Sequence, residues 1–142
     1  MIVYRMHRAG SDVFDTTGAF LFSGRWHLKG IRVIYAAEHV SLAALETLIH
    51  SSRMVVPNRA VTAIRIPEEV SVESSDWMEI GPSQLFGSDW VRSGRSAVLS
   101  VPSKAVNQME SNFLINPLHR EFDRIRPGVA RDFAFDLRFF QL

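Results

Sequence analysis

The sequence predicts an α+β domain: six segments carry strand-like patterning, one segment has clear helical periodicity, and strand and helix do not alternate. The missing alternation, together with the absence of a GxGxxG or Walker loop, argues against a doubly wound nucleotide fold. At 142 residues the chain fits one domain, 1–142, large enough to bury a core without an internal linker.

Taken in order, Ile2 to Met6 (IVYRM) alternates as a strand and sets Arg5 on the face opposite Tyr4. His7 to Thr17 reads as an irregular connection. The following AFLFSGRWHLKG is punctuated by Gly18, Gly24 and Gly30, which places Arg25 on a tight loop and Trp26 as a core anchor. Ile31 to Ala36 (IRVIYA) is an apolar run bounded by Gly30 and Glu38-His39, the pattern of a buried strand. Tyr35 ends that strand, with its hydroxyl reaching water or its ring offered to a flat ligand.

The helix is expected from Ser41 to about Ser52, with Ser41 as its N-cap and LAALETLIH as strong helix formers. At about 100° per residue, Leu42, Leu45 and Ile49 share one stripe, and Glu46 lies about 40° from Leu42. A carboxylate thus stands at the margin of the buried face, with Ala44 and Thr47 toward solvent. Because an unpaired ionised carboxylate is costly to desolvate, Glu46 is either paired with a cation at the core edge or kept for chemistry.

Beyond the helix, Ala60 to Ile66 (AVTAIRI) is a strand closed by Pro67. Glu68 to Ser88, with Gly81, Pro82 and Gly87, reads as loop with short pieces, and Asp89 to Ser93 as one helical turn. Ser96 to Val101 is a strand with Ser103 at its exit, where a lone serine is ordinarily a cap or turn residue. Phe113 to Ile115 and the alternating Phe133 to Phe139 complete the strands, with a short helical piece at His119 to Arg124 between them.

Composition narrows the chemistry. Hydrophobic residues at 46% and charged residues at 22% match globular averages and argue against disorder. Apolar runs are too short to span a membrane, and MIVYRMHR lacks the core of a signal peptide, so a cytoplasmic protein is expected. With 0 cysteines, disulfides and thiolate sites are ruled out. A net charge of +1 leaves no field for direct nucleic-acid binding. Lys29 and Lys104 are the lysines; all other basic side chains are arginines, whose planar fork suits a small phosphate or carboxylate ligand. His7, His27, His39, His50 and His119 show no HxxxH or HExxH spacing, so no metal is expected, and no Gly-x-Ser-x-Gly elbow surrounds Ser103.

What these residues can assemble is Arg25 with Arg5 for phosphates, Tyr35 for an aromatic base, and Glu46 for a cationic or hydroxyl-bearing centre. That set suits a nucleotide whose glycosidic bond breaks through an oxocarbenium-like state stabilised by a carboxylate.

Three ordered stretches, GRWHLKGIRVIYAAEHVSLAALETLIH, DWVRSGRSAVLSVPSKAV and SNFLINPLHREF, resemble the RES domain, the toxin half of RES-Xre toxin-antitoxin modules. The resemblance assigns the arginine of Gly-Arg-Trp to Arg25, the helix glutamate to Glu46, the serine of Val-Pro-Ser to Ser103, the strand tyrosine to Tyr35 and the N-terminal strand arginine to Arg5. It implies an ADP-ribosyltransferase-like fold of mixed, mainly antiparallel sheet with few helices. It also implies depletion of NAD, by hydrolysis or phosphorolysis of the nicotinamide-ribose bond, with NAD as substrate and no cofactor. Transfer of ADP-ribose to a protein, or a noncatalytic co-repressor role, are the alternatives. The implied partner is an Xre-type DNA-binding antitoxin that blocks the site. His27, where the family often has Asn, and Arg120, where it often has Pro, depart from the pattern beside the motif cores.

Overall fold

The computed structural model describes residues 1–52, 54–76 and 80–140. Among them, β1 (Ile2–Arg8), β2 (Ile34–Ala37), β3 (Arg59–Arg65), β4 (Val72–Ser74), β5 (Val98–Pro102), β6 (Ser111–Ile115), β7 (Arg126–Pro127) and β8 (Arg131–Phe133) form one sheet. The order is β4-β5-β6-β2-β1-β3-β7, with β8 also pairing β3. Among the described residues only the β4–β5 pair is parallel. All the others are antiparallel, so the expected mixed, mainly antiparallel sheet with few helices is what the chain builds.

Side-chain alternation divides the core between two faces. Ile34 and Ala36 pack with Val3, Ile64, Val98, Phe113 and Ile115, whereas Val33 and Tyr35 pack with Leu99, Val101, Leu114 and Trp26. The second face is covered by α3 (Ile80–Ser93), whose Trp90 is fully buried and donates its ring N–H to the Ser96 hydroxyl at 2.7 Å. A tryptophan so placed, with its polar atom satisfied, is worth about 3–5 kcal/mol against truncation.

This helix is the largest departure from the sequence reading, which had loop over most of it. Two residues misled. Pro82 sits in the first turn, where no intrahelical N–H is required. Gly87 is there for space: a Cβ would come 1.8 Å from the Trp26 carbonyl oxygen. A shorter helix, α1 (Thr17–Leu21), begins at the last residue of the expected irregular connection and fills part of the glycine-punctuated stretch, for which the sequence predicts no element.

The remaining helix, α2 (Val40–His50), starts one residue before Ser41, with His39 at the N-cap and no side-chain capping bond. Ser41 is exposed inside the first turn rather than capping it. The Phe133–Phe139 strand is also corrected. Pairing stops at Phe133, and Leu137–Phe140 is a 3₁₀ turn. Asp136 accepts the Arg138 N–H at 2.9 Å and its guanidinium at 2.7 Å, which bends the chain, while Phe135 turns inward among Phe133, Phe139 and Phe140. A 3₁₀ turn at Phe122–Arg124 falls within the predicted helical piece.

Candidate active site

A cavity of about 450 Å³ opens between α2, the middle of β1, β2, α1 and the loop after α1. On α2, Ala43, Glu46, Thr47 and His50 line it, at the i, i+3, i+4, i+7 spacing of one helical face. The predicted apolar stripe is therefore corrected. Leu42 is fully buried, but Leu45 and Ile49 are exposed, and Leu48 is the second large buried side chain. The helix is turned so that Glu46 looks into the cavity, half-buried, as its marginal position suggested.

Glu46 is held from behind. The Ser103 hydroxyl, only 1% exposed, donates to Glu46 Oε1 at 2.9 Å across 57 residues of chain. The same hydroxyl oxygen accepts the Ala105 N–H at 3.2 Å, capping the 3₁₀ turn Lys104–Val106. Ser103 is thus both the cap residue expected at a strand exit and the donor that orients the carboxylate.

Arg5 lines the cavity from β1. Its guanidinium donates to the carbonyls of Tyr35 at 3.2 Å and Asp15 at 3.1 Å, while its buried Nε has no partner. Burial lowers the Arg5 pKa to about 10, partly offset by the nearby Asp15 charge, so the group remains a cation at neutral pH. Among the described residues no carboxylate forms an ion pair with it. Arg5 thus brings a largely desolvated cation to the cavity wall, with Asp15 as its nearest acid.

Tyr35 also lines the cavity, but it lies inside β2 rather than at its end, and its hydroxyl is bonded to the loop that carries Arg25. The hydroxyl oxygen accepts the Trp26 N–H at 3.2 Å and lies 2.6 Å from His27 Nδ1. His27 Nε2 faces the carbonyls of Ala19 at 2.8 Å and Phe22 at 2.9 Å, which places its proton on Nε2 and leaves Nδ1 to accept from the tyrosine. Burial pushes the Tyr35 pKa well up, so the phenol stays protonated as that donor. A Cβ on Gly24 would fall 2.7 Å from the His27 ring and 2.8 Å from the Tyr35 hydroxyl, so this turn requires glycine.

Arg25 lines the same cavity, on the loop that Tyr35 and His27 hold from below. On its other side stands α3. Gln84 Nε2 donates to the Gly24 carbonyl at 2.7 Å, Ser83 Oγ to the Arg25 carbonyl at 2.7 Å, and Ser88 Oγ accepts the Leu28 N–H at 3.0 Å.

Arg5, Arg25, Tyr35 and Glu46 are therefore brought to one cavity from four parts of the chain, and Ser103 reaches it through Glu46. The sequence reading missed His27 as the partner of Tyr35, Asn112, Thr47 and His50 as lining residues, and the α3 contacts. The last had a usable signal: Ser83, Gln84, Gly87 and Ser88 are small or polar residues at helical spacing in SQLFGSDW. Elsewhere, Glu38, His39 and Glu110 bring one ligand-type atom each within 4.8 Å of one another. Glu38 already accepts the Ser111 N–H, and Glu110 pairs with His39 at 3.0 Å.

A profile of the RES domain family matches residues 2–137. The "Toxin Res" of Photorhabdus laumondii is 36% identical over 97% of this chain and 96% of its own length. The "Prs ADP-ribosylating toxin" of a Sphingobium species is 35% identical over 90% of this chain and 87% of its own. Among solved structures, the M. tuberculosis MbcT-MbcA toxin-antitoxin complex contains a chain that superposes with a TM-score of 0.75 at 14% identity, covering 94% of this chain and 84% of that one, a likeness of fold. With the family profile running through β1, the Arg25 loop, α2 and the Ser103 strand, this chain belongs to the RES domain family.

Proposed function

We propose that this protein is the toxin of a toxin-antitoxin pair and that it acts by breaking the nicotinamide-ribose bond of NAD. The observation that carries the reading is the Glu46 carboxylate, fixed by Ser103 at 2.9 Å and facing the cavity that Arg5 and Arg25 also line. The names of the relatives support the toxin role, and one of them, an ADP-ribosylating toxin, belongs to chemistry that starts by cleaving this bond.

In the proposed reaction Arg5 and Arg25 hold the diphosphate and the Tyr35 ring packs beside the nicotinamide. As the bond from the ribose anomeric carbon to the pyridinium nitrogen breaks, its electron pair neutralises the ring. The ribose is left oxocarbenium-like, and Glu46 stabilises that charge at a site already arranged for it. Water or inorganic phosphate then attacks the anomeric carbon, water releasing a proton to solvent. NAD is the substrate, and no further cofactor enters the scheme. The partner would be an Xre-type DNA-binding antitoxin that closes the cavity. No helix among the described residues is long and apolar enough to cross a membrane, and we place the reaction in the cytoplasm, where NAD is available.

The test is direct. Purified chain incubated with NAD should release nicotinamide, and Glu46→Gln, which keeps shape but removes charge, should abolish release while melting like the parent. Unchanged NAD consumption by Glu46→Gln would overturn the assignment. A second reading, transfer of ADP-ribose to a protein, is favoured by the Sphingobium relative's name. Mass spectrometry separates the products: ADP-ribose for water, ADP-ribose-1-phosphate for phosphate, a modified polypeptide for transfer. Release of no nicotinamide in any format would leave a noncatalytic co-repressor module.

A further inference from the structure

The peptide planes on both sides of Arg25 are fixed by side chains distant in sequence. The plane between Gly24 and Arg25 is held at its carbonyl by Gln84 Nε2 at 2.7 Å. The plane between Arg25 and Trp26 is held at its carbonyl by Ser83 Oγ at 2.7 Å and at its N–H by the Tyr35 hydroxyl at 3.2 Å. Rotation about the two backbone bonds of Arg25 is the relative rotation of those planes. Once both are pinned, the direction in which the arginine leaves the backbone is set.

Apolar packing of α3 against this loop is already supplied by Gly87, which lets the helix approach the Trp26 carbonyl, and by the Trp26–Phe86 edge contact at 6.5 Å. Gln84 is not needed for that closeness. It is a half-exposed side chain that spends its amide on one backbone oxygen of the arginine loop.

We propose that Gln84 is a positioning residue for Arg25, with Ser83 as its companion: α3 works as a clamp that sets the backbone carrying the cavity's loop cation. The consequence for turnover rests on the NAD-cleaving reading above, whereas the clamp itself does not. Displacing a substrate-holding group by about 1 Å can cost up to about a hundredfold in rate. Because the diphosphate is held alike in ground and transition states, loss of the clamp should appear mainly in KM.

The test uses Gln84→Met, which keeps length, volume and helix propensity but cannot donate. NAD turnover, thermal melting and amide hydrogen exchange of the 24–28 segment are measured on the full chain beside the parent. The expected result is a rise in KM of about fivefold or more, a smaller fall in kcat, an unchanged melt within about 2 °C, and faster exchange of 24–28 with α3 still protected. Unchanged KM and unchanged exchange would overturn the clamp. If the parent does not consume NAD, the proposed reaction fails and the clamp is judged by exchange alone. If Gln84→Met does not fold, Ser83→Ala takes its place under the same criteria.

Discussion

The Ser103 hydroxyl and the Glu46 carboxylate, 57 residues apart, meet at 2.9 Å, and the serine is otherwise sealed from solvent. Ser103→Ala removes the donor to Glu46 and the acceptor for the Ala105 N–H together. Stability should fall by about 1–2 kcal/mol, and turnover of NAD by about tenfold, because the carboxylate keeps its charge but loses its orientation. Denaturant titration and nicotinamide release measure the two effects separately.

Arg5 offers a test of the proposed diphosphate contact. Arg5→Met gives up two carbonyl bonds but also relieves a buried cation, so stability should change by less than about 1 kcal/mol in either direction. Affinity for ADP-ribose by calorimetry should fall at least tenfold, about 1.4 kcal/mol. Equal affinity in the variant would remove Arg5 from the ligand site.

Tyr35→Phe separates the ring from its hydroxyl. The ring still lines the cavity, while the Trp26 N–H and His27 Nδ1 lose their shared partner. The expected loss is about 1–3 kcal/mol of stability, with hydrogen exchange rising at Trp26. A phenylalanine variant that melts like the parent would show that the hydroxyl does not hold the loop.

Gly87→Ala puts a methyl 1.8 Å from the Trp26 carbonyl oxygen. Backbone must move, because the obstacle is not a flexible side-chain end. A loss of more than about 2 kcal/mol is expected despite the better helix propensity of alanine, and a calorimetric melt decides it.

His7 gives the pH dependence. It is buried, with Nε2 at 2.8 Å from the Thr62 hydroxyl, and desolvation lowers its pKa below the ordinary 6.5, the backbone bond to Arg8 opposing the shift. A histidine harder to protonate folded than unfolded contributes stability that is whole above 6.5 and is lost as pH falls from there through the folded value. Between pH 8 and 5.5 the parent should therefore lose more stability than His7→Gln, by urea titration at both pH values.

How much was legible in advance differs between fold and site. Strand positions followed from alternation in β1 and from an apolar run in β2, with ends misplaced by one to three residues: β1 runs on to Arg8, and β2 pairs only from Ile34. The last predicted strand failed because FAFDLRF alternates in composition, yet Asp136 captures the Arg138 backbone and side chain and turns the chain away. α3 failed for the opposite reason, its glycine and proline being read as breakers when one occupies a first turn and the other a close contact.

For the site, local chemistry could name Arg5, Arg25, Tyr35 and Glu46 as a set suited to a nucleotide, although a loop arginine such as Arg25 is more commonly a structural cation bonding carbonyls. Their meeting in one cavity came from sheet order, β6-β2-β1-β3, which no local pattern encodes.

By itself the chain settled residue types, the strand character of β1, β2, β3 and β5, and the presence of a carboxylate on a half-buried helix; these depend on neighbours within about four positions. Only the tertiary structure decided that Ser103 orients Glu46, that Tyr35 spends its hydroxyl on the arginine loop, and that α3 grips that loop from outside. Each of those bonds joins residues between 9 and 60 positions apart. Hydrogen bonds of that kind exist only after the sheet has closed and water has left.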